Sequence, residues 1–341
     1  MLSINPITAL TIFFLILGLL VIFFWPQKGI YTRYKRGIIN TKRALIEDAL
    51  KHIYDYEYRN LIPTLNSIAG NLNITTDSST DLIAELKNHS LINFNNQKIS
   101  LTTEGRSYAL RVIRIHRLWE NYLAEETGYT ELDWHDEAEL VEHKMSREEA
   151  DKLAAKMGNP KYDPHGDPIP TSEGALPSKK GKHLNDIQVG EIVRVTHIED
   201  EPKAIYAQLL AQGFYPGKEI QVIDANSEKI KIAMDGEERI VTPLLATGVT
   251  VQTISKPEFI NEKLKNLLDL KSGEEAEVLK ISPMVRGQQR RRLLDFGILP
   301  GAKISILMKS PLQDPIGYLV KDTIVALRKK QAELIFVKGN S

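Results

Sequence analysis

The segments LLAQGFYPGKEIQVI (209–223) and LLDFGILPGAKISIL (293–307) share the pattern G-x-x-P-G-x-x-I at an offset of 84 residues. A second pair, LNDIQVGEIVRV (184–195) and LLDLKSGEEAEVLKI (267–281), lies at nearly the same offset. Each copy combines short alternating strands, glycine turns and one short helix, a combination typical of a small β-barrel. The sequence therefore predicts two tandem barrels, at 184–254 and 266–337, joined by a linker at 255–265.

The segment DPHGDPIPTSEGALPSKKGKH (163–183) separates these barrels from the N-terminal half. Its proline, glycine, serine and lysine content cannot sustain a helix, so we expect a linker over 171–183. We interpret His165 as a turn residue, His197 as a surface residue of a strand, and Gln288 to Arg292 as the exposed side of a short helix.

Residues 44–157 have mostly helical periodicity. ALIEDALKHIYDY (44–56) places its apolar residues on one helix face, and two shorter helical segments follow it. NFNNQKISLT (93–102) then alternates around Asn95 and Asn96, which indicates a hairpin. A helix, a helix-turn-helix and a hairpin in this order predict a winged helix over 44–106, followed by further helices over 107–170. The fold class is therefore an α+β multidomain chain.

Imidazole and carboxylate side chains recur on two neighbouring helices of this half. His116 and Glu120 are four residues apart, and a second helix repeats this spacing from His135 to Glu139 and from Glu139 to His143. Residues at this spacing share one helix face. A single His-Glu pair is usually a solvated surface pair, but six candidate ligands together favour a metal site: His116, Glu120, His135, Glu139, Glu142 and His143.

The donor types restrict the metal. The 341-residue chain has no cysteine, which excludes disulfides, thiolate zinc sites and a cysteine nucleophile. Carboxylates and imidazoles suit Mn²⁺ or Fe²⁺, and Zn²⁺ also binds such ligands. No acid/base pair, nucleophile arrangement or nucleotide loop is evident, so we expect no catalytic residues and no enzyme activity.

The motifs IHRLWENYL (115–123), HDEAELVEHKMS (135–146) and DPHGDPIP (163–170) resemble the DtxR/MntR family of metal-dependent repressors. The resemblance implies a homodimer formed through the helices of residues 130–157. It also implies two metal sites, one with His116, Glu120 and His135, and another with Asp48, Glu139, Glu142 and His143. A further carboxylate of the manganese-responsive members corresponds here to Lys51.

Each C-terminal copy resembles FeoA, the small SH3-like partner of the ferrous iron transporter FeoB. Iron-responsive repressors carry one such domain, which lends a Glu and a Gln to the metal site. Those positions fall near Pro202 and Ile205 here, with Glu201 the nearest carboxylate.

DNA binding is less clearly encoded. The resemblance places DNA contacts at Thr75, Ser78 and Thr80, and also at Asp77 and Asp81. Two carboxylates there would face a polyanion without the counterion release that Lys and Arg supply. Residues 45–106 carry eight Asp or Glu against five Lys or Arg.

Residues 6–25 contain no charge and have about the length of a membrane-spanning helix. We expect a transmembrane anchor at 1–27 and a basic juxtamembrane segment at 28–43. Because Lys and Arg flanks stay on the cytoplasmic side, the N-terminus would lie outside and the C-terminal domains in the cytoplasm, as in a single-pass protein of the inner membrane.

Two functions remain open at this stage. One is a membrane-tethered regulator, responsive to Mn²⁺ or Fe²⁺, that dimerises and binds DNA when metal-loaded. The other is a metal sensor without DNA binding, or an accessory subunit of a ferrous iron or manganese transporter that docks through the FeoA-like domains.

Overall fold

The computed structural model describes residues 6–23, 42–95, 98–177, 181–235, 237–254, 265–282 and 284–339. These residues form two compact units. Unit 1 comprises 1–115, 139–149 and 172–174, and unit 2 comprises 116–138, 150–171 and 175–341.

Helix α1 spans Pro6–Phe23 and consists of 18 residues. At about 1.5 Å per residue it rises about 27 Å. Among the helices that the structure describes, none is both long enough and apolar enough to cross a membrane. The described helices therefore do not support the predicted transmembrane anchor at 1–27 or the inner-membrane location that depends on it. Residues 28–41 of the basic segment lie outside the described residues.

Unit 1 contains the helix, helix-turn-helix and hairpin order that the sequence predicts. Helix α2 packs against the next two helices and against the second strand of the hairpin. Residues 96–97, at the expected hairpin turn, lie outside the described residues. The elements are α2 (Lys42–Tyr58), α3 (Leu65–Leu72), α4 (Thr76–Asn88), β1 (Ile92–Asn95) and β2 (Lys98–Leu101).

Local signals in the sequence set the ends of the two short helices. The Thr64 hydroxyl accepts a hydrogen bond from the Ser67 backbone N–H, and the Ser67 hydroxyl accepts one from the Thr64 backbone N–H, which forms a capping box before α3. Asn73 ends α3 in the left-handed conformation, and the Thr75 hydroxyl caps α4 by accepting from Ser78.

Three further helices follow the hairpin, and the first two carry most of the candidate metal ligands. They are α5 (Thr103–Glu126), α6 (Trp134–Glu142) and α7 (Arg147–Lys156). The division between the units falls within α5 and within α6, so each of these helices contributes residues to both units.

The first repeat, residues 182–253, is a six-stranded antiparallel sheet in the order β3-β8-β4-β5-β6-β7. Its core includes Phe214, Ile220 and Val249, all fully buried. Its elements are β3 (Lys182–His183), β4 (Ile192–Ile198), α8 (Lys203–Ala211), β5 (Glu219–Ala225), β6 (Ile230–Met234), β7 (Glu237–Val241), α9 (Pro243–Thr247) and β8 (Val249–Thr253).

The second repeat, residues 265–339, has the equivalent order β13-β12-β11-β10-β14-β9 and its own core around Tyr318. The turn glycines 217 and 301 have φ values of +92° and +87°, the left-handed region that glycine adopts without strain. The elements of the second repeat are β9 (Lys265–Asn266), β10 (Glu275–Ile281), α10 (Gly287–Asp295), β11 (Lys303–Lys309), β12 (Ile316–Val320), β13 (Thr323–Leu327), α11 (Lys329–Ala332) and β14 (Ile335–Gly339).

Candidate metal centres

Unit 2 brings two histidines and a buried carboxylate together at the facing sides of α5 and α6. His116 Nε2 lies 3.1 Å from Glu120 Oε1, and His135 Nδ1 lies 3.5 Å from the same oxygen. The rings of His116 and His135 are 4.9 Å apart between centroids. Four ligands about 2.1 Å from a tetrahedral ion are about 3.4 Å from one another, so these separations fit a metal site.

Two residues that the sequence reasoning missed complete this arrangement. His165 Nε2 lies 3.8 Å from Glu120 Oε1, and Asp200 Oδ2 lies 3.1 Å from His135 Nδ1. Candidate ligand atoms of Glu120, His165 and Asp200 lie within 4.8 Å of one another. We call His116, Glu120, His135, His165 and Asp200 the imidazole-rich cluster.

His165 gives an independent indication of a bound ion. Its side chain is only 2% exposed, and neither ring nitrogen has a hydrogen-bond partner. A buried polar atom without a partner is costly, and an ion in the cluster would satisfy one nitrogen. His165 does lie in the predicted turn, but it is not a simple turn residue. The aromatic rings of Trp134 and Tyr206 lie beside it, with centroids 5.9 and 5.1 Å away.

The carboxylates of the imidazole-rich cluster are held in the charged form. Burial works against the charge of Glu120, but His116 acts through its charge and hydrogen bond and keeps the pKa of Glu120 well below its usual range. Burial also opposes ionisation of Asp200, and the hydrogen bond to His135 lowers its pKa below the ordinary value. Ionised carboxylates are the form that binds a cation.

The carboxylate of Glu201 in the first repeat also approaches His135. Glu201 Oε1 lies 3.1 Å from His135 Nε2, and Pro202 occupies the N-cap of α8. Asp200 stands directly before Glu201 in the run Glu199-Asp200-Glu201, and this acidic run is the one signal by which the sequence could have revealed it.

His197 differs from its sequence interpretation. It is buried rather than on the strand surface, and its Nε2 lies 3.2 Å from Asp167 Oδ2. The prediction failed because the segment around Asp167 covers this part of β4, a tertiary contact that strand alternation does not encode.

Unit 1 contains a second group of candidate ligands. His143 Nε2 lies 3.2 Å from Asp48 Oδ1 and 3.4 Å from Glu142 Oε1. Candidate ligand atoms of these three residues lie within 4.8 Å of one another. We call Asp48, Glu142 and His143 the carboxylate-rich cluster. Glu139 falls outside it, although its charge contributes to the raised pKa of Lys51.

The buried Glu47 orients the imidazole of this cluster. Its Oε2 lies 2.7 Å from His143 Nδ1, and its Oε1 accepts from the Tyr108 hydroxyl at 2.7 Å and from Arg43 Nε at 2.8 Å. With Nδ1 engaged, Nε2 of His143 is the nitrogen directed at Asp48 and Glu142. Metal-binding histidines commonly have such a carboxylate behind them.

Lys51 is paired with a candidate ligand. Its ammonium lies 2.7 and 2.8 Å from the two oxygens of Glu142. Burial would lower the pKa of Lys51, but the charges of Glu142, Asp48 and Glu139 outweigh it and raise that pKa above its ordinary value. Lys51 therefore carries a positive charge inside the carboxylate-rich cluster.

The residues assigned to DNA contact lie at the start of α4. Thr75 Oγ1 is 2.9 Å from Ser78 Oγ within the helix cap, and Thr80 Oγ1 donates to the Thr76 carbonyl. All three side chains are exposed, as are Asp77 and Asp81. Their hydroxyls therefore take part in local helix hydrogen bonds while remaining at the surface.

Comparisons with known proteins cover the segments that carry these residues. Residues 102–171, which include seven of the candidate ligands, match the iron dependent repressor, metal binding and dimerisation domain. The chain is thus similar to metal-dependent repressors of the DtxR and IdeR type. Residues 182–253 and 265–339 each match the FeoA domain.

Individual relatives show how far the similarity extends. The iron-dependent repressor IdeR of Mycobacterium leprae is 28% identical over 220 residues, which are 60% of this chain and 95% of that protein. A solved manganese-dependent transcriptional repressor in complex with manganese has a TM-score of 0.57 and 27% identity, covering 61% of this chain and 99% of that one. A probable metal transport system membrane protein of Chlamydia trachomatis is 35% identical over 80 residues, 24% of this chain and 18% of that protein.

These comparisons bear on two of the sequence predictions. The expectation of no enzyme activity is confirmed, because the matched relatives are transcriptional repressors. The expectation of divalent metal binding is confirmed for the family, and the two clusters supply carboxylate and imidazole donors that suit Mn²⁺ and Fe²⁺.

Proposed function

We propose that this chain is a transcriptional regulator responsive to Mn²⁺ or Fe²⁺, which forms a homodimer and binds DNA when metal-loaded. The observation that carries the proposal is the position of the candidate ligands. Every histidine of the two clusters lies between residues 116 and 165, inside the region that matches the metal-binding and dimerisation domain.

The ligand sets follow from the two clusters. The imidazole-rich cluster would hold one ion through His116, Glu120, His135, His165 and Asp200, and the carboxylate-rich cluster would hold another through Asp48, Glu142 and His143. Zn²⁺ also fits both donor sets, and it binds such ligands more tightly than Mn²⁺ or Fe²⁺. Glu139 remains a candidate ligand of the second ion, because its charge reaches Lys51 in that cluster.

A bound divalent ion would neutralise the carboxylates that each cluster gathers. In its absence Glu120 and Asp200 face one another as anions, and Asp48, Glu139 and Glu142 share one ammonium. The chain's own residues thus provide two sites in which segments far apart in sequence converge. Loading would hold Asp48 of α2 against α6, and would hold the loop of His165 and the first repeat against α5.

Homodimerisation would use the helices of residues 130–157, and DNA would contact Thr75, Ser78 and Thr80 at the start of α4. Electrostatics oppose the second contact. Asp77 and Asp81 are exposed beside these hydroxyls, and Lys98 is the basic residue among the described residues of the hairpin.

That acidic helix supports a second candidate function, a metal sensor without DNA binding or an accessory subunit of a ferrous iron or manganese transporter. The short similarity to a probable metal transport system membrane protein points the same way. In this function the FeoA domains would be the docking modules.

One experiment separates the two functions. Fluorescence anisotropy would measure binding of the full chain to DNA from immediately upstream of its own coding sequence, with Mn²⁺, anaerobic Fe²⁺ or a chelator, across a salt series. A regulator binds only with metal, and its affinity falls as salt rises. Charge reversal at Asp77 and Asp81 to Lys should tighten DNA binding. Absence of binding in every condition, together with co-purification of a transporter, would favour the second candidate.

A further inference from the structure

The two repeats use the same structural position to reach the helices of unit 2. In each repeat a loop joins the first long strand to the first helix, and the N-cap residues of these helices, Pro202 and Arg286, are 84 positions apart. In the first repeat the two residues before the N-cap are Asp200 and Glu201, which approach His135. In the second repeat they are Met284 and Val285, which offer no ligand oxygen or nitrogen in their side chains.

The second repeat instead presents a cation to the loop that carries His165. Arg286 Nη2 donates to the Pro164 carbonyl at 3.4 Å. The next carbonyl, that of His165, accepts from the Ile198 amide of the first repeat at 2.9 Å. Two consecutive carbonyls, one on each side of the His165 Cα, are thus held by the two repeats.

The start of α10 also packs against the last turn of α5, the helix that carries Glu120. Arg291 contacts both oxygens of Glu126, at 2.7 and 3.2 Å, and Gln288 Nε2 donates to the Glu126 carbonyl at 3.2 Å. That carbonyl is one of the groups that a helix end leaves without an internal partner.

The close approach of α10 to the end of α5 requires glycine at position 287. Gly287 has a φ of +53°, and a Cβ there would lie 2.7 Å from the Glu125 carbonyl oxygen and 2.8 Å from that of Ala124. Both atoms belong to the backbone and cannot move aside as a flexible side chain would.

We propose that the second repeat is a positioning element of the imidazole-rich cluster. Arg286 holds the His165 loop, and α10 holds the end of α5, in the arrangement that binds the ion. The second repeat contributes no ligand itself. This inference rests on the metal-binding function proposed above. Because coupling between ion binding and this packing is reciprocal, ion binding at the cluster must also stabilise the packing of α10 against the end of α5.

The first test measures Mn²⁺ affinity by calorimetry on the full chain carrying Glu142→Gln, which disables the carboxylate-rich cluster and leaves one site to observe. Arg286→Ala should weaken binding about tenfold, the lower end of the effect of residues that orient ligands. Arg286→Lys, which keeps a donor, should recover part of the loss. Arg290→Ala, an exposed position on the same helix, is the matched control and should leave affinity unchanged.

The outcomes of this test distinguish the two proposals. If the Glu142→Gln chain binds no Mn²⁺, the assignment of the imidazole-rich cluster fails. If it binds Mn²⁺ and Arg286→Ala binds equally well, the positioning role fails while the metal site stands.

Hydrogen exchange supplies a readout that does not depend on a folding defect in a variant. In the unmutated full chain, Mn²⁺ should slow amide exchange in residues 284–295 at least several-fold. The same addition to Glu120→Gln should not. Equal exchange in 284–295 with and without Mn²⁺, in a chain shown to bind the ion, would overturn the coupling.

Discussion

His143 Nδ1 lies 2.7 Å from Glu47 Oε2, and this contact leaves Nε2 directed at Asp48 and Glu142. We therefore expect Glu47→Gln to weaken Mn²⁺ binding at the carboxylate-rich cluster by about 10-fold to 100-fold, because the amide orients the imidazole less strongly. Asp55→Asn, on the same helix and paired with Arg59, is the control and should bind as the unmutated chain does. Unchanged calorimetric affinity in Glu47→Gln would show that Glu47 has no orienting role.

The ammonium of Lys51 lies 2.7 Å from a carboxylate oxygen of Glu142. It fills the space beside this carboxylate and pairs with its charge, where a further metal ion could otherwise bind. Lys51→Glu changes the local charge by two units toward negative and removes the competing cation, so we expect this variant to bind one more Mn²⁺ per chain. Equilibrium dialysis with elemental analysis would count the ions. Lys87→Glu, an exposed change of the same type on α4, should leave the count unaltered, and an equal count in both variants would contradict the prediction.

The ionisation of His143 predicts a specific pH dependence of stability in the metal-free chain. Burial would lower its pKa, but hydrogen bonds to Asp48 and Glu47 raise it from 6.5 to about 9. The protonated form is therefore stabilised by folding, and this contribution is complete below pH 6.5 and lost as the pH rises through 9. We expect denaturant unfolding with a chelator to show a loss on the order of 2 kcal/mol over this range, after allowance for solvent screening.

The matched variant for this pH effect is His143→Gln. It should be less stable than the unmutated chain near pH 6 and should lack most of the decline toward pH 9. Parallel pH profiles of the two proteins would mean that His143 is not the titrating group.

Gly166 predicts how tightly the His165 loop fits the first repeat. Its φ is +95°, and a Cβ would lie 2.0 Å from the Thr196 carbonyl oxygen. Gly166→Ala should therefore displace the loop, lower the thermal midpoint by several degrees and weaken the ion site that uses His165. Gly70→Ala, in α3 with open space around the new methyl group, should be neutral or slightly stabilising. Similar melting curves for the two variants would contradict this view of the loop.

The sequence predicts the parts of this protein that depend on local periodicity. The helical spacing of His116 with Glu120 and of Glu139 with His143, and the repeated glycine turns at 217 and 301, are read directly from the chain. The tandem repeats and the helical N-terminal half follow from such patterns.

The remaining parts of the candidate sites depend on contacts between distant segments. His165 lies in a proline-rich turn with no helical neighbour to mark it, and Asp200 follows a strand of the first repeat. Only folding brings both beside Glu120. For the apolar N-terminal stretch, composition indicates a membrane span, whereas no helix of the described residues is both long enough and apolar enough to cross a membrane.

The most direct test of this account is the number of Mn²⁺ ions that the full chain binds, counted by equilibrium dialysis and elemental analysis near neutral pH. We predict two ions for the unmutated chain, one for Glu120→Gln, one for Glu142→Gln and none for the double variant. A count of zero in the unmutated chain, or the same count in all four proteins, would contradict the assignment of the two clusters as metal sites.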